Sequence, residues 1–364
     1  MTPARIRING AFHGQTVTGQ QRYATEVARQ LVTVKAGSAY ERWPGPWWSA
    51  KSLRAWLWSQ TVGVGRSSGE LLLTLSSRGP LAARRHVIVV HDLFVFTHPE
   101  WFSRRYVWSH IPVLWLQIFT AHAIVAVSGP VAEQVQALTK GRKEVFVAPN
   151  APSEVFLQDL TPHDDPQPTL DRLGLKAGQF ILAVGSLDPR KNLERLVEAH
   201  MTLPARVRAS HPLVIVGGRN PATGEVSLPE VPDIRLLGRI SDQELATLYA
   251  TSSLVAFPTL DEGFGLPAVE ALAAGASLLV SDIPVMHWVC REFASYVDPL
   301  SVDGIARGLQ QAISVSPGSA EDRAARRQYV AFRFSWEMTV NAIVEGIETL
   351  SSASAARVAA KERV

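Results

Sequence analysis

Short, unbroken apolar runs alternate along the chain with longer stretches whose apolar residues recur at helical spacing. In the first half the runs are Arg5–Asn9, Glu70–Leu75, Val87–Val90, Ala123–Val127 and Val145–Val147. In the second half they are Phe180–Val184, Leu213–Val216, Ile234–Leu236, Leu254–Phe257 and Ser277–Val280. Residues 20–34 and 102–120 carry helical periodicity. Runs this apolar suit strands buried on both faces. Their alternation with helices predicts parallel sheets covered on both sides. The alternation occurs twice, on either side of residues 151–175. Pro152, Asp159, Pro162, Asp164, Asp165, Pro166 and Pro168 gather there, a composition that suits a linker and hinge. The predicted fold class is α/β, with two doubly wound, Rossmann-like domains. Such sheets bind ligands at the carboxyl ends of their strands, so two that face one another make a cleft.

Composition narrows this picture. A length of 364 residues fits two domains, and an apolar fraction of 46% excludes global disorder. The single cysteine, Cys290, excludes an internal disulfide framework and a multi-cysteine zinc site, and a cytoplasmic setting is the expectation. The opening MTPARIRINGAFHG has no apolar core of the kind a signal peptide needs. The most apolar long stretch, Val107–Val127, is interrupted by Ser109, His110, Pro112, Gln117, Thr120 and His122. It reads as a buried helix followed by a strand, and not as a bilayer span.

Charge changes the picture through its distribution. The net +3 conceals 17 Lys/Arg against 7 Asp/Glu in residues 1–150, and 19 against 26 in residues 151–364. A basic front half and an acidic back half point to different partners. Trp43, Trp47, Trp48, Trp56 and Trp58 cluster with Lys51 and Arg54. They read as core and helix cover, or as an interfacial surface or sugar-stacking platform.

Two junctions carry candidate chemistry. In FILAVGSLDPRKNLERLVEAH a strand ends at Gly185, and a helix starts near Asn192. Arg190 and Lys191 therefore precede a helix N-terminus, where two cations and backbone N–H groups suit an anion. Solvated surface charge is the plainer alternative. In TLDEGFGLPAVEALAAGASLLVSD, Glu262, Gly263, Phe264 and Gly265 form a loop after a strand. Pro267 fits the first helical position and Gly275 ends the helix. Glu270 lies about one turn inside it. The glycines allow close approach of a ligand, and carboxylates grip paired hydroxyls. Phosphates on the cations and hydroxyls on the glutamates together suit a nucleotide sugar.

These residues resemble the retaining GT-B glycosyltransferases of the group 1, family 4 type, in the mannosyltransferase-like branch. The E-x7-E motif is Glu262 to Glu270, and the basic pair stands in GSLDPRKN. The stretch DIRLLGRISDQELATLYATSSLVAFPT resembles the family's run between base-binding and catalytic loops, with Ser241 and Glu244 as a capping box. VIVVHDLFVFTHPEWF, TGQQRYATEVARQL, VAVSGPVAEQV, VFVAPNAPSEVF and FSWE resemble its other landmarks. Gln20 and Gln21 depart from a common second glycine, Ala151 stands for another, and Trp288 and Arg291 are bulkier than usual.

The resemblance implies a first domain over 1–157, completed by a last helix at about 335–364, and a donor domain over 158–334. Glu270 would hold the ribose hydroxyls. Glu262 would contact the transferred sugar, near the backbone of Gly263, Phe264, Gly265 and Leu266. Arg190 and Lys191, beside Gly185, would neutralise the pyrophosphate. Gly19 would admit the phosphate and sugar, and His91 would stand near the reacting carbon. Gly238, Arg239 and Ile240 would lie near the base. The implied reaction is hexosyl transfer with retention, through front-face attack. No D-x-D triplet occurs, so neither a metal nor another cofactor is expected. The implied donor is GDP-mannose, with dTDP- or UDP-sugars as alternatives. The implied acceptor is a glycan or polyprenyl-linked sugar, met on the basic first domain, with peripheral contact to an anionic membrane. The competing class is an inactive GT-B protein that binds nucleotide sugars. A nucleic-acid partner is excluded, since no nucleic-acid motif accompanies the charge.

Overall fold

The computed structural model describes residues 5–15, 19–35, 38–43, 45, 52–62, 70–76, 79–81, 83–158, 165–219, 227–314 and 318–361. It divides into two compact units. The first holds residues 1–97, 107–151 and 335–364; the second holds 98–106 and 152–334. The division at Ala151/Pro152 falls ahead of the 157/158 boundary expected from sequence. The reason is packing: the helix Glu154–Leu157 buries Phe156, whose ring meets Tyr249 edge-on at 5.8 Å in the second unit. The proline-rich stretch is thus partly helical, with a further helix at Gln167–Leu173.

In the first unit six strands form one parallel sheet: β1 (Ile6–Asn9), β2 (Ala39–Arg42), β3 (Leu71–Thr74), β4 (His86–Val90), β5 (Ala123–Ala126) and β6 (Glu144–Val147). Their order is β2-β1-β3-β4-β5-β6. The four central strands are wholly buried; β3, β4 and β5 are largely apolar, and β1, which reads IRIN, also buries Arg7, paired with Glu70, and Asn9. The edge strands β2 and β6 carry Glu41, Arg42 and Glu144, whose charges protect an open edge. The last helix, Trp336–Lys361, starts within FSWE and belongs to this unit, where Thr339 Oγ1 donates to the Pro149 carbonyl (2.6 Å). It continues through the Ala/Ser-rich tail.

In the second unit β7 (Ile181–Val184), β8 (Leu213–Val216), β9 (Ile234–Gly238), β10 (Leu254–Phe257), β11 (Leu278–Ser281) and β12 (Ser295–Val297) form another parallel sheet. The order is β12-β11-β10-β7-β8-β9. Counted from β7, this is the 3-2-1-4-5-6 order of a Rossmann sheet, which reverses between β7 and β10. Ile181, Ala183, Leu213, Ile215, Leu254 and Ala256 pack there against helix residues Leu196, Ile305 and Leu309. The Ser241–Glu244 capping box starts the helix Asp242–Thr251 as read from sequence. Among the described residues no helix is long and apolar enough to cross a membrane.

Candidate active site

The loops after β7 and β10 leave the sheet at its reversal point. There a crevice opens because neighbouring connections run to opposite sides. After β7, Asp188 caps a single 3-10 turn, Pro189–Lys191, by accepting from Arg190 N (3.0 Å). Asp188 is fully buried. Its carboxylate also takes Arg190 Nη2 (3.0 Å), Arg190 Nε (3.3 Å) and Ser186 Oγ (2.9 Å). Burial alone would raise this carboxyl's pKa. The Arg190 and Lys191 charges and the bonds from Arg190 and Ser186 outweigh burial and hold it below the usual range. Asn192 follows in the left-handed region (φ 56°) and donates to the Pro258 and Pro299 carbonyls (2.8 and 2.7 Å). This turn is therefore locked from both ends.

The loop after β10 is tied to the same turn. Leu260 N and Thr259 Oγ1 both donate to the Arg190 carbonyl at 2.7 Å. Lys191 Nζ pairs with Glu262 Oε1, and both side chains are nearly buried. Thr259 Oγ1 also lies 3.2 Å from that oxygen. Lys191 stands 5.0 Å from the centre of the Phe257 ring, which adds a cation–π contact. The predicted glutamate and lysine are thus brought together. Arg190 instead turns its guanidinium to Asp188, a partner that sequence reasoning did not assign. The D-P-R-K order, an N-cap residue before proline, was the available signal.

The helix Leu266–Ala273 begins one residue before Pro267, so this proline is at the second helical position. Gly265 precedes it at φ 86°, and an added methyl would lie 2.3 Å from Met286 Cε. Pro267 offers no N–H. The donors at this helix end are the backbone groups of Phe264, Gly265 and Leu266. The Phe264 ring is buried against Phe334 (5.5 Å) and Trp288 (6.3 Å), so Phe264 can meet a ligand only through its backbone. That contact also accounts for the bulk of Trp288. Glu270 is buried, and the Tyr249 hydroxyl lies 3.4 Å from its Oε2.

The remaining residues line the same carboxyl edge. Gly185 N donates to Val216 O (3.0 Å) and Gly217 N to Gly238 O (2.9 Å), so glycines end three adjacent strands. Gly238 has φ 70° and leads into Arg239 and Ile240. From β10 across β7 and β8 to β9 is three strand spacings, about 14 Å. This edge presents, in order, carboxylate, ammonium and glycine backbone.

In the first unit, His91 follows β4 and is buried. Its Nε2–H donates to the Leu75 carbonyl (3.0 Å), and its ring meets Tyr23 edge-on at 5.1 Å. Burial pushes its pKa down to about 4, against the opposite pull of that bond. At neutral pH the ring is uncharged, and Nδ1 is the acceptor nitrogen. Gly19 is the first residue of the helix Gly19–Val34, and a methyl there would meet no atom within 4 Å. The chain itself therefore does not require glycine at this position.

Two Rossmann-like units, each built on a parallel six-stranded sheet, are the architecture of the GT-B fold. The model of the family "Glycosyl transferases group 1" matches residues 172–330, which lie in the second unit. It is 28% identical over 281 residues to the O-antigen chain mannosyltransferase B of Escherichia coli, covering 72% of this chain and 71% of that relative. It is 30% identical over 242 residues to the Escherichia coli serotype-specific mannosyltransferase WbdA, covering 64% of this chain but 29% of WbdA. In fold it is similar to sucrose-phosphate synthase from Thermosynechococcus elongatus. The TM-score is 0.67 at 16% identity, over 96% of this chain and 99% of the other.

Proposed function

We propose that this glycosyltransferase moves a mannosyl group, with retention, from GDP-mannose to a glycan or polyprenyl-linked acceptor in cell-envelope polysaccharide synthesis of the O-antigen type. The observation that carries the reading is the Lys191–Glu262 pair at the β7/β10 reversal point, beside a glycine-edged ledge long enough for a nucleotide sugar. The names of the mannosyltransferase relatives favour mannose over another hexose.

In this reading the pyrophosphate takes Lys191, and Glu262 turns to a hydroxyl of the sugar. Lys191 and the helix N-terminus at Leu266 stabilise the negative charge that grows as GDP departs, work done elsewhere by a divalent metal. Arg190 adds positive charge while its bond to Asp188 keeps the turn in place. Glu270 takes ribose hydroxyls. His91, neutral, accepts a sugar hydroxyl at Nδ1 and does not donate a proton. A panel of nucleotide sugars scored by thermal unfolding tests the donor. GDP-mannose at a hundredfold excess over its Kd is expected to raise Tm by about 5 °C or more. A rise with UDP- or dTDP-sugars and none with GDP-mannose would move the assignment.

A peripheral contact with an anionic leaflet is the second part of the proposal. Of the aromatic segment expected to make it, residues 47, 48 and 51 lie outside the described residues. The helix Arg104–Thr120 supports it better. Trp108 is 82% exposed, and Trp115, two turns on, is 49% exposed; both follow Arg104 and Arg105. Such a face suits the interfacial region of a bilayer. Sedimentation with phosphatidylglycerol vesicles is expected to fall about tenfold in the W108A/W115A double variant. Equal binding by wild type and variant, or to neutral vesicles, would count against it.

A further inference from the structure

We propose that His13, Glu41 and Trp43, at the carboxyl ends of β1 and β2, form a subsite for a neutral sugar ring of the acceptor. The inference rests on the glycosyl-transfer reading and adds what the acceptor presents to the first unit.

The placement follows from topology. In the order β2-β1-β3 the connections diverge between β1 and β3, so the loop after β1 leaves the first sheet at its own reversal point. That loop is pressed onto the end of β2. Gly10 N donates to the Arg42 carbonyl (2.9 Å). A methyl at Gly10 would lie 2.5 Å from Glu41 Oε1 and 2.9 Å from Arg42 O. The close approach sets His13 against Glu41, whose carboxylate accepts from His13 Nε2. The two side chains remain 34% and 25% exposed. Among the described residues Glu41 Oε2 has no hydrogen-bond partner.

The Arg7–Glu70 ion pair in this unit shows what a structural pair looks like here. Arg7 and Glu70 are buried and joined at 2.8 Å. They are closed off by the Tyr40 hydroxyl and by the Val62 carbonyl, which accepts from Arg7 Nη1. The His13–Glu41 pair has no such closure and is flanked by aromatic rings. The Phe12 ring centre lies 4.3 Å from that of His13, and Trp43 meets His13 edge-on at 5.3 Å. Trp43 is 47% exposed.

An exposed indole beside a carboxylate and an imidazole matches the chemistry of a pyranose. The indole takes the apolar C–H face, and the polar pair takes adjacent hydroxyls. A carboxylate repels a phosphate, so the group held here is a sugar ring and not the diphosphate of a lipid carrier. The loop bearing His91 leaves β4 on the same edge, two strand spacings or about 10 Å from β1.

Calorimetric titration of the whole chain with mannotriose, without donor, tests the subsite. Pyrophosphate serves as the charged probe. The variants are Trp43→Ala, Trp43→Phe and Glu41→Gln, each checked for unchanged thermal unfolding. Trp43→Ala and Glu41→Gln are expected to weaken mannotriose about tenfold or more, and Trp43→Phe by less than about threefold. Pyrophosphate binding should not follow this pattern. Unchanged mannotriose affinity in Trp43→Ala and Glu41→Gln overturns the inference, as does a wild type that does not bind mannotriose. Hydrolysis of GDP-mannose by the wild type is measured in parallel. If it is absent the donor reading fails, while the mannotriose titration still decides the subsite.

Discussion

Lys191→Ala is expected to lower kcat for sugar transfer by about 10²- to 10³-fold, with the fold intact. Lys191 is the cation of this ledge that meets a functional carboxylate directly, while Arg190 is committed to buried Asp188. In the proposed mechanism its charge would act where negative charge develops on the leaving pyrophosphate, so the loss is expected to fall on kcat more than on KM. Removing it also leaves Glu262 nearly buried without its counter-ion. That by itself would weaken the loop. Lys191→Ala/Glu262→Gln separates the two effects. It should recover the thermal stability of the wild type and none of the turnover. Steady-state release of GDP, with Tm measured alongside, gives both readouts. Turnover within about threefold of wild type in Lys191→Ala would remove the residue from the chemistry.

Gly217→Ala is expected to be the most damaging small substitution in the second unit. Gly217 ends β8 with φ 156°, and a methyl there would lie 1.8 Å from the Gly185 carbonyl oxygen and 2.6 Å from its carbon. Both are backbone atoms, so no side chain can move aside. The strands must part, breaking the bonds Gly185 N to Val216 O and Gly217 N to Gly238 O. The displacement reaches the site, because Gly185 borders Lys191: a methyl built on Gly185 would come within 3.1 Å of the Lys191 Cγ and Cδ. A cost of about 4 kcal/mol or more is expected, with Tm lower by about 10 °C and transfer abolished. Thermal unfolding of the purified variant checks this. A Tm within about 2 °C of wild type would contradict the described packing.

The apolar runs made ten of the twelve strands among the described residues readable; eight of these lie inside a sheet, where burial on both faces favours continuous hydrophobicity, and the edge strands β6 and β9 keep short apolar runs. The two that escaped, β2 and β12, are short edge strands reading AYER and SYV. Like β6 and β9, each is paired on one side only, but here polar residues break the run. The E-x7-E loop and the basic pair were legible because each lies within one strand–loop–helix junction. What joins them was not. Lys191 and Glu262 are 71 residues apart and meet only because β7 and β10 are neighbours. Gly-Gly after the run Leu213–Val216 was a usable sign of close backbone approach, although its partner Gly185 could not be named. The His13–Glu41–Trp43 group was hidden for the same reason, since it forms across the β1/β2 register.

The central claim is retaining transfer of mannose from GDP-mannose. The most direct measurement is proton NMR of the first mannose formed when the wild-type chain turns over GDP-mannose, recorded before the free sugar equilibrates its anomers. The account predicts the α-anomer, with the signal lost in Glu270→Ala. The β-anomer, or turnover that survives Glu270→Ala unchanged, would contradict it.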